Sequence, residues 1–295
     1  MARVSLEELN SAGEPAFVAA LADIFERTPA IAQSAFGKRP FSTINALYGA
    51  MSDAVRTLSA EKKLDLIRAH PDLAGKAARA GDLTAHSKAE QAGFGLSRLS
   101  DRQFETFERL NGAYHNQFGF PFVICVRRHT QSSILSQFER RLRNQQTDEV
   151  ETAIAEICRI AALRLDETVE APDRLKVHGQ LSTHVLDTFS GRPAAGVAVS
   201  LVELSGEGQE QPLARAVTNK AGRTDRALVA DRPVPIGRYE LRFDVAEYYS
   251  RIGAPLADPP FLDVVPIRFS VAEPEGHYHV PLLITPWSYS TYRGS

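Results

Sequence analysis

A chain of 295 residues, 43% hydrophobic and 24% charged, is long enough for two domains and has apolar residues enough for two cores. Its 34 Lys+Arg against 36 Asp+Glu leave a formal charge of −2, with no cationic excess to bind nucleic acid or an anionic membrane. Cys125 and Cys158 lie apart and outside any CxxC, which argues against a disulfide scaffold or a thiolate zinc site.

The N-terminus enters a helix start with no apolar leader core, and no apolar run is long enough to span a bilayer. A cytoplasmic protein is expected. Up to about residue 167 the hydrophobic period is helical. Ser5-x-x-Glu8 and Ser100-x-x-Gln103 are capping boxes, and Leu99 and Phe104 flank the second as a hydrophobic staple. Residues 42–58 set Ile44, Leu47, Tyr48, Met51 and Val55 on one face, and 59–69 set Leu64 and Ile67 inward before Pro71 stops the helix. Helical patterns recur over 132–144 and 147–167. The run Phe120–Val126 fits neither period and reads as a buried extended segment.

Beyond 168–173 the period becomes two. Strand patterns occupy 176–187, 196–204, 213–218, 237–245, 264–271 and 277–284, separated by Gly-, Pro- and Asn-bearing turns, with one short helix over 247–252. The expectation is an all-α helical bundle over 1–168, a linker over 169–174, and an all-β sandwich over 175–295.

Three residues of the helical half bear chemistry. His70 sits where a helix ends, Glu90 lies in Ser87-x-x-Glu90-Gln91, and Arg164 continues the otherwise apolar stripe Val150, Ile154, Ile157, Ala161. Each has a plain structural reading: a His answering the helix dipole, a capping box, an Arg paired with a structural carboxylate. Together they offer a titratable imidazole, a carboxylate to set its tautomer and a guanidinium for an anionic or carbonyl ligand.

His70-Pro71-Asp72-Leu73, Ser87-x-x-Glu90-Gln91, Leu110-Asn111-x-x-Tyr114-x-x-x-Phe118-Gly119-Phe120-Pro121-Phe122, Arg141-Leu142-x-Asn144 and Ile160–Leu165 resemble the OHCU (2-oxo-4-hydroxy-4-carboxy-5-ureidoimidazoline) decarboxylase family over nearly all of 5–167. The resemblance implies a cofactor-free decarboxylation with His70 and Glu90 catalytic and Pro71, Ser87, Gln91 and Arg164 on the substrate. His70, oriented by Glu90, moves a proton on the substrate ring. Arg164 holds a ring or ureido oxygen rather than the departing carboxylate, because gripping the latter favours the ground state.

In the strand half, His184 shares a strand face with Ser182 and Leu186, and His277 and His279 share another. Three such imidazoles fit a zinc site, and equally fit satisfied polar strand positions. Leu181–Asp187, Gly191–Ala194, Thr218–Arg223, His277–Leu283 and Tyr289–Ser295 are similar to 5-hydroxyisourate hydrolases of the transthyretin-related family over roughly 175–295. That resemblance implies metal-free hydrolysis by His184, Arg223, His279 and Ser295, with His277, Tyr292 and Arg293 beside the substrate. It also implies a homo-oligomer, dimer or tetramer, assembled through this half. The combined expectation is a bifunctional enzyme of urate degradation whose partners are its small-molecule substrates. The alternatives for the strand half are a transthyretin-like small-ligand carrier and a zinc-dependent amide hydrolase on His184, His277 and His279.

Overall fold

Both capping boxes form. Ser5 and Ser100 each accept an N3 backbone N–H, and the N3 side chain accepts the cap residue's own N–H in return. The computed structural model describes residues 3–74, Ser87, Glu90, 99–205 and 210–294. Its contacts divide into two units, one of residues 1–127 and 134–177, the other of 128–133 and 178–295.

The first unit contains helices α1 (Leu6–Ser11), α2 (Glu14–Leu21), α3 (Ala30–Phe36), α4 (Ile44–Arg56), α5 (Ala60–Arg68), α6 (Asp101–Phe118), most of α7 (Gln131–Arg141) and α8 (Gln146–Thr168). The apolar faces anticipated for α4 and α5 point into one core, where Leu47, Met51, Val55, Leu66 and Ile67 are buried. Leu64, expected inward, is only half-buried, and Leu66 takes the deeper place. The join anticipated at 169–174 is tied down: β2 (Val169–Glu170) pairs in parallel with β1 (Val4–Ser5), and Asp173 accepts the backbone N–H of Ile44 at 2.9 Å. Leu175 and Val177 also belong to this core.

Phe120–Val126 is buried throughout and pairs in no sheet. A buried chain outside a sheet must satisfy its polar groups elsewhere. Glu156 accepts the Cys125 N–H at 2.9 Å, and Arg141 donates to the Val123 carbonyl at 2.8 Å. Arg141 is itself neutralised by Glu149, which Tyr114 and Asn144 also bond. Tyr114, Arg141 and Asn144 of the family motifs therefore build the wall behind the segment.

The second unit is a sandwich of two sheets. One runs β11 (Tyr289–Thr291), β10 (His277–Ile284), β3 (Gly179–Asp187) and β4 (Arg192–Pro193), with β7 (Val229–Arg232) also on β3; β3 and β10 are parallel. The other runs β6 (Glu210–Val217), β5 (Ala198–Leu204), β8 (Gly237–Asp244) and β9 (Val264–Val271), all antiparallel. Alternation sends Leu181, Val185, Leu201, Leu241, Phe243, Leu282 and Ile284 into the core. Helix α9 (Val245–Arg251) begins two residues before the expected short helix, capped by Asp244.

Candidate functional sites

In the first unit, α5 ends at Arg68, and the turn into Pro71 holds His70 by its backbone N–H to the Ile67 carbonyl at 3.1 Å. Asn111 of α6 steadies the following loop by donating to the Leu73 carbonyl at 2.8 Å. The His70 ring is buried, with Nδ1 2.9 Å from the Leu66 carbonyl. A carbonyl only accepts, so Nδ1 carries the proton and Nε2 of the neutral ring keeps its lone pair. Burial pushes the imidazole down to about 4, with the charge of Arg164 acting the same way, against the Leu66 hydrogen bond and Glu26. His70 is therefore a neutral base at physiological pH.

His70, Pro71, Ser87, Glu90 and Arg164 line one cavity of about 40 Å³ together with the segment Phe122–Arg127, which is buried as far as Val126. The stretch that fits neither period thus supplies the apolar side of the site. Glu90, however, does not set the His70 tautomer. Both of its oxygens accept from Arg164, from Nε and Nη2 at 2.9 Å each, and the Leu66 carbonyl takes the orienting role.

Arg164 also departs from expectation. It is tied to acids, yet it lies in the same cavity as His70. Nη1 bonds the Asp23 carbonyl at 3.1 Å and Glu26 at 3.0 Å, and Nη2 further reaches Ser87 Oγ at 3.5 Å. Its five N–H groups all have protein acceptors, so it organises carboxylates and has no donor left over for a substrate oxygen. Glu26 gave no signal in the sequence: it follows α2 without a motif, and only the fold brings it to Ser87 at 3.1 Å and to Arg164. Gln91 lies outside the described residues.

In the second unit, the parallel register sets His279 beside Ser182 and Pro281 beside His184. Strand alternation then puts His184, Ser182, His277 and His279 on one outer face of one sheet. Ser182 bridges the imidazole pair, with its Oγ 3.1 Å from His277 Nε2 and 3.0 Å from His279 Nδ1. Ser182, His277, His279 and Arg223 line a cavity of about 390 Å³ with Gln180 and Asp225. Burial depresses His184 and His279, and the nearby Arg223 charge depresses both further.

Two glycines press on these rings. A Cβ at Gly222, where φ is +71°, would meet the Val185 carbonyl at 2.3 Å and His184 Cδ2 at 3.1 Å; one at Gly294 would meet His279 Cδ2 at 2.7 Å. The motifs Thr218–Arg223 and Tyr289–Ser295 thus act partly through backbone that only glycine allows so close. Tyr292 is exposed and Arg293 lies over the Tyr278 ring at 5.0 Å, so neither lines the cavity. Ser295 lies outside the described residues. Among the described residues, no group of three or more His, Cys, Asp or Glu is arranged to hold a metal ion.

A helical unit with a desolvated neutral imidazole and a sandwich with clustered imidazoles beside a guanidinium define a two-site chain built for acid–base chemistry. The family model described as OHCU decarboxylase matches residues 10–166, and the one described as HIUase/Transthyretin family matches 181–294. A 2-oxo-4-hydroxy-4-carboxy-5-ureidoimidazoline decarboxylase of Halalkalicoccus jeotgali is 40% identical over 167 residues, 57% of this chain and 93% of that protein. A 5-hydroxyisourate hydrolase of Deinococcus radiodurans is 56% identical over 118 residues, 40% of this chain and 98% of that protein. A crystal structure of (S)-allantoin synthase, 32% identical, covers 99% of this chain and 100% of its own with a TM-score of 0.52. The chain belongs to the OHCU decarboxylase family through its helical half and to the HIUase/transthyretin family through its strand half.

Proposed function

We infer that this protein is a bifunctional enzyme of urate degradation: the strand half hydrolyses 5-hydroxyisourate to OHCU, and the helical half decarboxylates OHCU to (S)-allantoin and CO2. The observation that carries the reading is the presence of both families in one chain, in the order matched end to end by an (S)-allantoin synthase. The carrier and zinc-hydrolase alternatives are not retained.

In the decarboxylation, His70 Nε2 takes the proton of the substrate's ring hydroxyl or nitrogen. The carbon–carbon bond to the carboxylate breaks, its electrons pass into the imidazoline ring, and CO2 leaves. The proton held on His70 returns to the substrate as the ring carbon is protonated from one face, giving the S product and restoring the neutral imidazole. Glu90, held in one orientation by Arg164, accepts ureido N–H groups. Arg164 is a positioning residue. In the hydrolysis, His184 and His279 remove a proton from water as it attacks a ring carbonyl and return one to the leaving nitrogen. Arg223 stabilises the oxyanion, and Ser295 bonds substrate or water.

A homo-oligomer assembled through the strand half is part of this reading, supported by exposed Phe189 and Trp287, which pack against each other at 5.8 Å on that unit. A cytoplasmic location is supported by two free thiols, Cys125 and Cys158. Generating 5-hydroxyisourate enzymatically from urate tests the activities. With the protein, its ultraviolet decay accelerates and a second accelerated phase ends in a circular-dichroism signal. Decay at the spontaneous rate in either phase refutes the corresponding half.

A further inference from the structure

Among its described residues, the helical-half cavity has a charge problem. Its substrate under the decarboxylase reading carries a carboxyl group, ionised at neutral pH. His70 is neutral there, Arg164 has spent its donors on protein, and of the two carboxylates Arg164 holds, Glu26 and Glu90, the second lines the cavity. Among the described lining residues the other cation is Arg127.

Arg127 ends the buried apolar wall, and its Nη1 pairs with Glu167 Oε1 at 2.6 Å. Helix α8 shows Ile160, Leu163 and Arg164 to the cavity. Glu167 continues that face, three residues past Arg164 and four past Leu163. The Arg127 guanidinium is therefore held by a residue about one helical turn beyond Arg164 on the same helix face. Its side chain is 26% exposed and that of Glu167 is 52% exposed. A solvent-screened pair of this kind is held weakly, and a guanidinium exchanges one carboxylate for another with the same fork geometry.

We propose that Arg127 is the carboxylate-binding residue of the helical-half site, releasing Glu167 to take the substrate's carboxylate at the cavity rim. The inference rests on the decarboxylase reading. Because CO2 departs uncharged, the contact is made in the bound substrate and weakens toward the transition state, so losing it raises KM and does not lower kcat.

Steady-state decarboxylation of freshly generated OHCU by the full chain and its variants tests this. Arg127→Gln raises KM about tenfold or more without lowering kcat. Glu167→Gln removes the competitor and lowers KM. The opposite directions matter, since a merely structural ion pair would make both variants worse together. That parallel loss, or an unchanged KM in Arg127→Gln, overturns the proposal. Should Arg127→Gln lose its far-UV helical signal, the KM of Glu167→Gln decides alone: lowered supports the proposal, unchanged or raised overturns it. A wild-type chain that does not accelerate decarboxylation at all refutes the decarboxylase reading instead.

Discussion

Acidification is expected to destabilise the helical unit through His70, and His70→Asn to relieve that part of the loss. The imidazole titrates at about 4 when folded against 6.5 as its ordinary value, because it is buried. Between those values the unfolded chain binds a proton that the folded one refuses. Stability therefore rises with pH across this window and is lost as pH falls from 6.5 toward 4. Charging the unfolded-state imidazole between pH 7 and pH 5 removes about 2 kcal/mol, roughly 4–8 °C of Tm for a unit of this size. Asparagine keeps a donor for the Leu66 carbonyl and does not titrate, so its variant escapes this part of the loss. The sole Trp, Trp287, lies in the strand half, so its fluorescence follows that unit while the far-UV helical signal follows the other. Urea titrations of both proteins at the two pH values give the difference. Decarboxylation by the wild type should keep its acid limb near pH 4, and the asparagine variant should lose decarboxylation while hydrolysing 5-hydroxyisourate normally. Equal acid sensitivity of the two proteins, or an acid limb at an ordinary histidine value, would refute the reasoning.

Arg164→Met leaves Glu26 and Glu90 without their cation, which should cost about 3–5 kcal/mol and abolish decarboxylation while sparing hydrolysis, as read by urea melts of the helical signal and separate assays. Gly294→Ala pushes a methyl into His279 and should slow 5-hydroxyisourate hydrolysis about tenfold, the order of a displaced acid–base group, with decarboxylation unchanged. Arg223→Gln removes a positive charge that depresses both His184 and His279, so their imidazole proton resonances should titrate at higher pH than in the wild type.

Local chemistry was legible wherever residues close in the chain decide the outcome. Capping boxes at Ser5 and Ser100, the apolar faces of α4 and α5, and the period-two runs of the sandwich depend on neighbours three or four residues away, or on simple alternation. That His184 and His279 belong together was carried by motif resemblance; the parallel register of β3 and β10 is what sets them on one face. The Phe120–Val126 segment showed no period because its hydrogen bonds go to Glu156 and Arg141 rather than to a neighbouring strand.

The amino-acid sequence by itself determined two domains of opposite secondary structure and their families, and it marked the imidazoles each half carries. Only the tertiary structure decided who partners whom. Arg164, read as a ligand anchor, is claimed by Glu90, Glu26, Ser87 and the Asp23 carbonyl, and His70 takes its tautomer from Leu66 rather than Glu90. The physical reason is that a buried charge seeks the best available counter-charge in space, and residues such as Glu26, separated from Arg164 by 138 positions, become its neighbours only when the chain has folded.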